Sequence, residues 1–119
     1  MLECDVSDQA SIERLAEQVA GITQHVDLLI NNAGIYGQRS QSLTNVSRQV
    51  MLDTFNTNSL GPLFVTQAFF NKGLLGGAQR SVVANVTSKV CVMARASVVG
   101  AFVEHVCTAS THAVTDGLD

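Results

Sequence analysis

The chain has 119 residues, a formal net charge of -3, and a composition that is 46% apolar and 14% charged. These values bound it to one well-buried globular domain and exclude a disordered chain. The seven Lys and Arg residues are scattered singly, so neither nucleic acid nor an anionic membrane surface is an expected partner.

Cys4, Cys91 and Cys107 stand at unrelated spacings without a CxxC or Cys/His grouping. No metal site is expected from them, and buried reduced thiols in a cytoplasmic setting are the simplest expectation. Met1 leads directly into Leu2-Glu3-Cys4-Asp5, without the basic and apolar segments of a secretory signal. The longest apolar tract, Val90 to Val106, is broken by Arg95, Glu104 and His105, too polar and short to span a membrane.

In chain order, Leu2 to Cys4 reads as the end of a strand, and Ser7 or Asp8 as the cap of a following helix. In that helix Ile12, Leu15, Ala16 and Val19 recur at helical spacing, opposite Glu13, Arg14, Glu17 and Gln18, and Gly21 closes it. Val26 to Ile30 is a short apolar run that ends abruptly in Asn31-Asn32-Ala33-Gly34, the pattern of a strand buried on both faces in a parallel sheet. Residues 35 to 47 read as a loop. From Ser47 or Arg48 to about Lys72 the pattern is helical, apolar almost all round in its second half, with Pro62 expected to mark a bend. Gly73, Gly76 and Gly77 make a loop, and Ser81 to Ser88 a second buried strand with a polar end.

Strand, helix, strand, helix, strand is the rhythm of an open parallel α/β sheet, in which ligands sit beyond the carboxyl ends of the strands. Those ends are Asp5-Val6, Asn31 to Gly34, and Thr87-Ser88.

"DLLINNAG" (27 to 34), "DTFNTNSLGP" (53 to 62) and "SVVANVTS" (81 to 88) together resemble the short-chain dehydrogenase/reductase family in order and approximate spacing. The stretch looks most like the branch that contains the bacterial C-factor proteins. The resemblance covers residues 2 to about 89 and implies a partial Rossmann-like, doubly wound parallel sheet in a three-layer αβα arrangement. Residues 1–89 would be the central part of an NAD(P)-binding domain lacking its first βαβ unit, and 90–119 a divergent or frame-shifted tail.

The same resemblance implies roles for individual residues. Asp5 and Val6 match the pair that receives the cofactor's adenine ring, with helix capping as the alternative for Asp5. Asn32, Ala33 and Gly34 match the turn along the cofactor ribose, while Asn31 is better read as pinning neighbouring strands together. Asn58 matches the asparagine that perturbs its helix and holds a water for proton relay; an ordinary amide bonded within the helix is the alternative. Ser88 matches the catalytic serine that polarises a substrate carbonyl. NAD or NADP is the implied cofactor.

Hydride transfer to a carbonyl also needs a proton for oxygen, supplied in this family by a Tyr tuned by a Lys one helical turn later. The sole match in form is "CTASTHAV", with Cys107 at the Tyr position and Thr111 at the Lys position. A cysteine side chain is shorter than a phenol, and Thr111 brings no positive charge. The family's glycine-rich phosphate turn has no counterpart in the sequence either; "GLLGGAQR" follows a helix instead of a strand.

The resulting expectation is an NAD(P)-dependent oxidoreductase by family that is inactive as this chain and binds cofactor weakly. The alternatives are residual activity, or an interaction role. In the latter, the apolar helix around 48–72, with Phe64 and Phe69 as contact residues, would join a second copy or a full-length relative.

Overall fold

Asp8 starts the first helix. Its backbone is extended and its Oδ2 accepts the Ser11 amide at 2.9 Å, which satisfies one of the unpaired donors of α1 (Gln9–Ala20). The spacing read from the sequence holds here: Ile12 and Ala16 are buried, and Leu15 and Val19 pack half-buried against the same core. Gly21 ends the helix in right-handed geometry, its N–H on the Glu17 carbonyl and the following Ile22 N–H on the Val19 carbonyl. A computed structural model provides these coordinates and describes residues 1–37, 44–45 and 47–86.

Two strands follow, β1 (Leu28–Asn31) and β2 (Val82–Asn85), paired in parallel with Leu28 opposite Val82 and Asn31 opposite Asn85. The Val82 amide on Asp27 O (2.8 Å) and the Val86 amide on Asn31 O (2.9 Å) extend the ladder at both ends. Leu29 and Val83 point to the core, whereas Leu28, Ile30 and Val82 are each just over half exposed on the other face. The expectation of strands buried on both faces is therefore corrected: among the described residues helices cover one face alone.

Leu2–Cys4 is also corrected. It makes no ladder with another strand among the described residues, whose sheet contains β1 and β2 alone, and Cys4 instead packs against the core. An extended segment becomes a strand only when a neighbour takes its backbone bonds.

The helical stretch from Arg48 to Asn71 is not one helix. It divides into α2 (Arg48–Phe55), a π-helical turn at Asn56–Leu60, and α3 (Gly61–Asn71). The Gly61 amide reaches back five residues to the Asn56 carbonyl. Pro62, expected to mark a bend, is the second residue of α3 on an unbroken helical path and supplies no N–H to the turn before it. The irregularity lies in the turn just before it.

α3 packs on α1 and on the inner face of the sheet. Ile12, Ala16, Val65, Phe69, Leu74 and Leu75 form the buried centre, closed below by the Val26 amide on Leu74 O at 2.8 Å. Between α3 and β2 the chain turns at Gly73, Gly76 and Gly77, whose φ angles of 71°, 77° and 81° lie in the left-handed region that favours glycine. Burial also corrects the contact residues expected on α3: Phe69 is 5% exposed and belongs to the core, while Leu63 and Phe70 face outward.

Candidate functional site

At the carboxyl end of β1 the backbone leaves the sheet through Asn32, Ala33 and Gly34, all exposed. Asn31 stays inside it. Its Nδ2 donates to Asn85 Oδ1 at 2.9 Å and to Thr66 Oγ1 at 3.3 Å, tying β1 to β2 and to α3 as expected from the sequence. Thr66 itself is held by the Pro62 carbonyl at 2.7 Å, so the partner is oriented before Asn31 meets it.

Asn58 fixes the loop beyond. Its Oδ1 accepts the Ile35 amide at 2.8 Å and its Nδ2 donates to the Ile35 carbonyl at 2.9 Å. The amide thus spans to a loop 23 residues earlier. The expected perturbation of the helix is present as the π turn that carries Asn58. Gly34 lies against the same amide, where an added Cβ would make ordinary contact with Asn58 Oδ1 at 3.4 Å.

Asp5 opens the second loop. Its Oδ1 accepts both the Ser7 amide (2.9 Å) and the Ser7 hydroxyl (2.7 Å), and its own amide donates to Ser11 Oγ at 3.0 Å. The Ser7 hydroxyl first, then the Ser7 amide, hold the Asp5 carboxyl below the usual carboxylate range, against a small opposing effect of desolvation. Asp8, not Asp5, is the cap of α1. Asp5 remains solvent-facing, and among the described residues its Oδ2 keeps no hydrogen-bond partner.

Two contacts join this turn to the rest of the site, and sequence reasoning missed both. Asn56 Nδ2 donates to the Ser7 carbonyl at 3.0 Å. Gly61 lies so close to Val6 that a Cβ there would stand 3.0 Å from the Val6 carbonyl oxygen and 3.2 Å from Cγ2. The signal was in "NTNSLG", an Asn pair two apart with a glycine three residues further on, of which Asn58 alone was singled out.

Ser88, Cys107 and Thr111 lie outside the described residues. No helix among the described residues is long and apolar enough to cross a membrane, and no group of three or more His, Cys, Asp or Glu could hold a metal there.

A parallel strand pair with helices on one face, and polar loops gathered where β1 ends, defines an α/β protein of Rossmann type. The family model described as short chain dehydrogenase matches residues 1–114, and the chain belongs to the short-chain dehydrogenase/reductase family. The match continues well beyond residue 89. The C-signal protein of Myxococcus xanthus is 45% identical over 80 residues, covering 67% of this chain and 46% of its own. The carbonyl reductase Sniffer of D. melanogaster superposes with a TM-score of 0.75 at 25% identity, over 96% of this chain and 50% of its own. The Pseudomonas aeruginosa RhlG/NADP active-site complex superposes with a TM-score of 0.73 at 21% identity, over 92% and 42%. The chain spans less than half the length of the curated relatives first matched, between 28% and 46%.

Proposed function

We propose that this chain is a short-chain dehydrogenase/reductase member that keeps the adenosine-facing loops of an NAD(P) site and does not itself transfer hydride. What supports the reading is the stretch "CTASTHAV", the one match in form to a Tyr-x-x-x-Lys segment, which offers Cys107 for the Tyr and Thr111 for the Lys. The chain's one tyrosine, Tyr36, follows the Gly34 loop and is 77% exposed, and its lysines are Lys72 and Lys89. None of these forms a Tyr-x-x-x-Lys pair.

The adenosine part of the cofactor fits the residues present. Asp5 Oδ2, unbonded among the described residues, is an acceptor suited to an exocyclic amino group, Val6 flanks it, and the backbone of Asn32, Ala33 and Gly34 is exposed toward a ribose. The solved RhlG neighbour is a complex with NADP, which supports a nicotinamide dinucleotide as the class of ligand. When bound, that cofactor supplies the hydride; Asn58 and Ser88 are the residues of this chain that would face the substrate end.

Purified chain mixed with NADPH and a panel of carbonyl compounds tests this. No loss of the nicotinamide absorbance is expected, and steady turnover would refute the reading. The encoding DNA gives an independent check. A Tyr-x-x-x-Lys soon after Ser88 in another frame would identify the tail as frame-shifted, and its absence from all three frames would leave divergence.

A second reading is favoured by Leu52, Leu63 and Phe70, which are 51%, 39% and 53% exposed on α2 and α3. It assigns these helices to contact with a second copy or a full-length relative. Co-purification that survives charges at Leu63 and Phe70 would remove it.

A further inference from the structure

We propose that Asn56 is a positioning residue for the nucleotide-facing turn: through the Ser7 carbonyl it sets where the Asp5 carboxylate stands relative to the Asn32–Ile35 loop. The proposal rests on the assignment of Asp5 and Val6 to the adenine end of the cofactor.

The turn is internally well bonded but has few outside ties. Asp5 Oδ1 to Ser7, Asp5 N to Ser11 and Asp8 N to Asp5 O (3.2 Å) are all local. Such bonds define the shape of the turn and leave its place against the sheet open. Besides the packing of Val6 on the core, two long-range contacts of the turn come from the π turn and the first residue after it: Asn56 Nδ2 on Ser7 O, 49 residues away in sequence, and Gly61 against Val6.

The same five-residue turn holds the opposite loop through Asn58 and Ile35. Side chains two apart on a helix do not face each other, so Asn56 and Asn58 reach to different sides. One short element therefore spaces the two loops that would contact one ligand. Gly61 makes the approach possible, since a side chain there would push Val6 and Ser7 outward and lengthen the Asn56 bond.

Asn also suits the role chemically. Its Nδ2 donates to a carbonyl that has no partner from the turn itself, and the short side chain transmits position where a longer, freer one would not. A neighbouring pair, Asp8 with Arg14 at 3.8 Å, lies on the α1 side and does not bear on Ser7 O.

The experiment follows the Asp5 carboxylate by carbon-detected NMR during an acid titration of the full chain. In the unmodified protein it should titrate below the ordinary carboxylate range, because Ser7 donates to it twice. Asn56→Leu, similar in shape but without a donor, should leave that midpoint low, because the Ser7 bonds to Asp5 are local, and should shift the Ser7 carbonyl-carbon and Val6 amide resonances as the turn moves. Asn56→Gln should restore part of their position, and Asn58→Leu should move Ile35 and leave Ser7 in place. Unchanged Ser7 and Val6 resonances in Asn56→Leu overturn the proposal.

Should Asn56→Leu not fold, the unmodified chain still decides. Its Asn56 side-chain amide protons should exchange more slowly than those of exposed Gln18, and equal exchange overturns the assignment. Adding NADP+ to the unmodified chain separates the two levels. Shifts at Asp5, Val6 and Ser7 that weaken in Asn56→Leu support the proposal. No response to NADP+ at these residues, with the Ser7 and Val6 resonances still moved by Asn56→Leu, overturns the nucleotide reading and reduces Asn56 to a structural anchor.

Discussion

Asn58 grips the backbone of Ile35 by both ends of its amide, with Oδ1 2.8 Å from the Ile35 nitrogen and Nδ2 2.9 Å from its carbonyl oxygen. A bidentate bond of this kind fixes orientation as well as distance. It ties the loop after β1 to the π turn that interrupts α2 and α3.

Asn58→Ala should therefore free the Ile35 loop while leaving the core intact. Because the pair is partly exposed, water replaces some of what is lost, and the cost should be about 1 kcal/mol. Urea denaturation measures the loss, and faster amide exchange at Ile35, with Leu29 unchanged, locates it. Loss of protection across β1 as well would mean that Asn58 holds more than the loop.

Gly61→Ala should destabilise by about 1–3 kcal/mol, the usual range for overpacking. The new methyl carbon would stand 3.0 Å from the Val6 carbonyl oxygen, which is backbone and moves only if the Asp5–Ser7 turn moves. Thermal denaturation gives the size of the effect. A neutral outcome would show that the turn yields freely. Gly73→Ala makes a useful contrast, since no atom lies within 4 Å of its added Cβ and strain there comes from a φ of 71°.

The Asp5 carboxyl is held below its ordinary value by the two Ser7 donors. A carboxyl depressed in the folded state binds fewer protons than in the unfolded chain, so stability rises with pH across the interval between the two values. The contribution is complete above the unfolded value, near 3.9, and disappears as pH falls through the lower folded one. Asp5→Asn should flatten this part of the urea-midpoint profile below about pH 4. An identical acid slope in wild type and variant would exclude Asp5 as its source.

Phe69 and Phe70 are adjacent and should behave oppositely. Phe69→Ala empties a core position that is 5% exposed and should cost about 3–5 kcal/mol. Phe70→Asp, at a position 53% exposed, should leave the melting temperature nearly unchanged and affect association alone. Equal losses from both would contradict the assignment of inner and outer faces on α3.

What could be read in advance follows the range of the forces involved. The apolar period of α1 and its Asp8 cap are local, so Ile12, Ala16 and Asp8 took the places the sequence assigned them. Asn31 as a strand pin was also legible, because a polar residue ending an apolar strand needs an internal partner. The faces of the strands were not. Leu28, Ile30 and Val82 carry the residue types of a buried strand, and only the position of α1 and α3 reveals which side is covered.

By itself the sequence determined the family, through the identities of its three separated motifs and their order. Those are matters of residue identity, which folding does not alter. Tertiary structure decided how the site is held: that Asn58 turns to Ile35, that Asn56 reaches Ser7 across 49 residues, and that Gly61 must lack a side chain because Val6 lies against it. Each depends on a close approach between segments far apart in the chain. Such an approach is set by the packing of α3 between α1 and the sheet, and local preferences do not encode it.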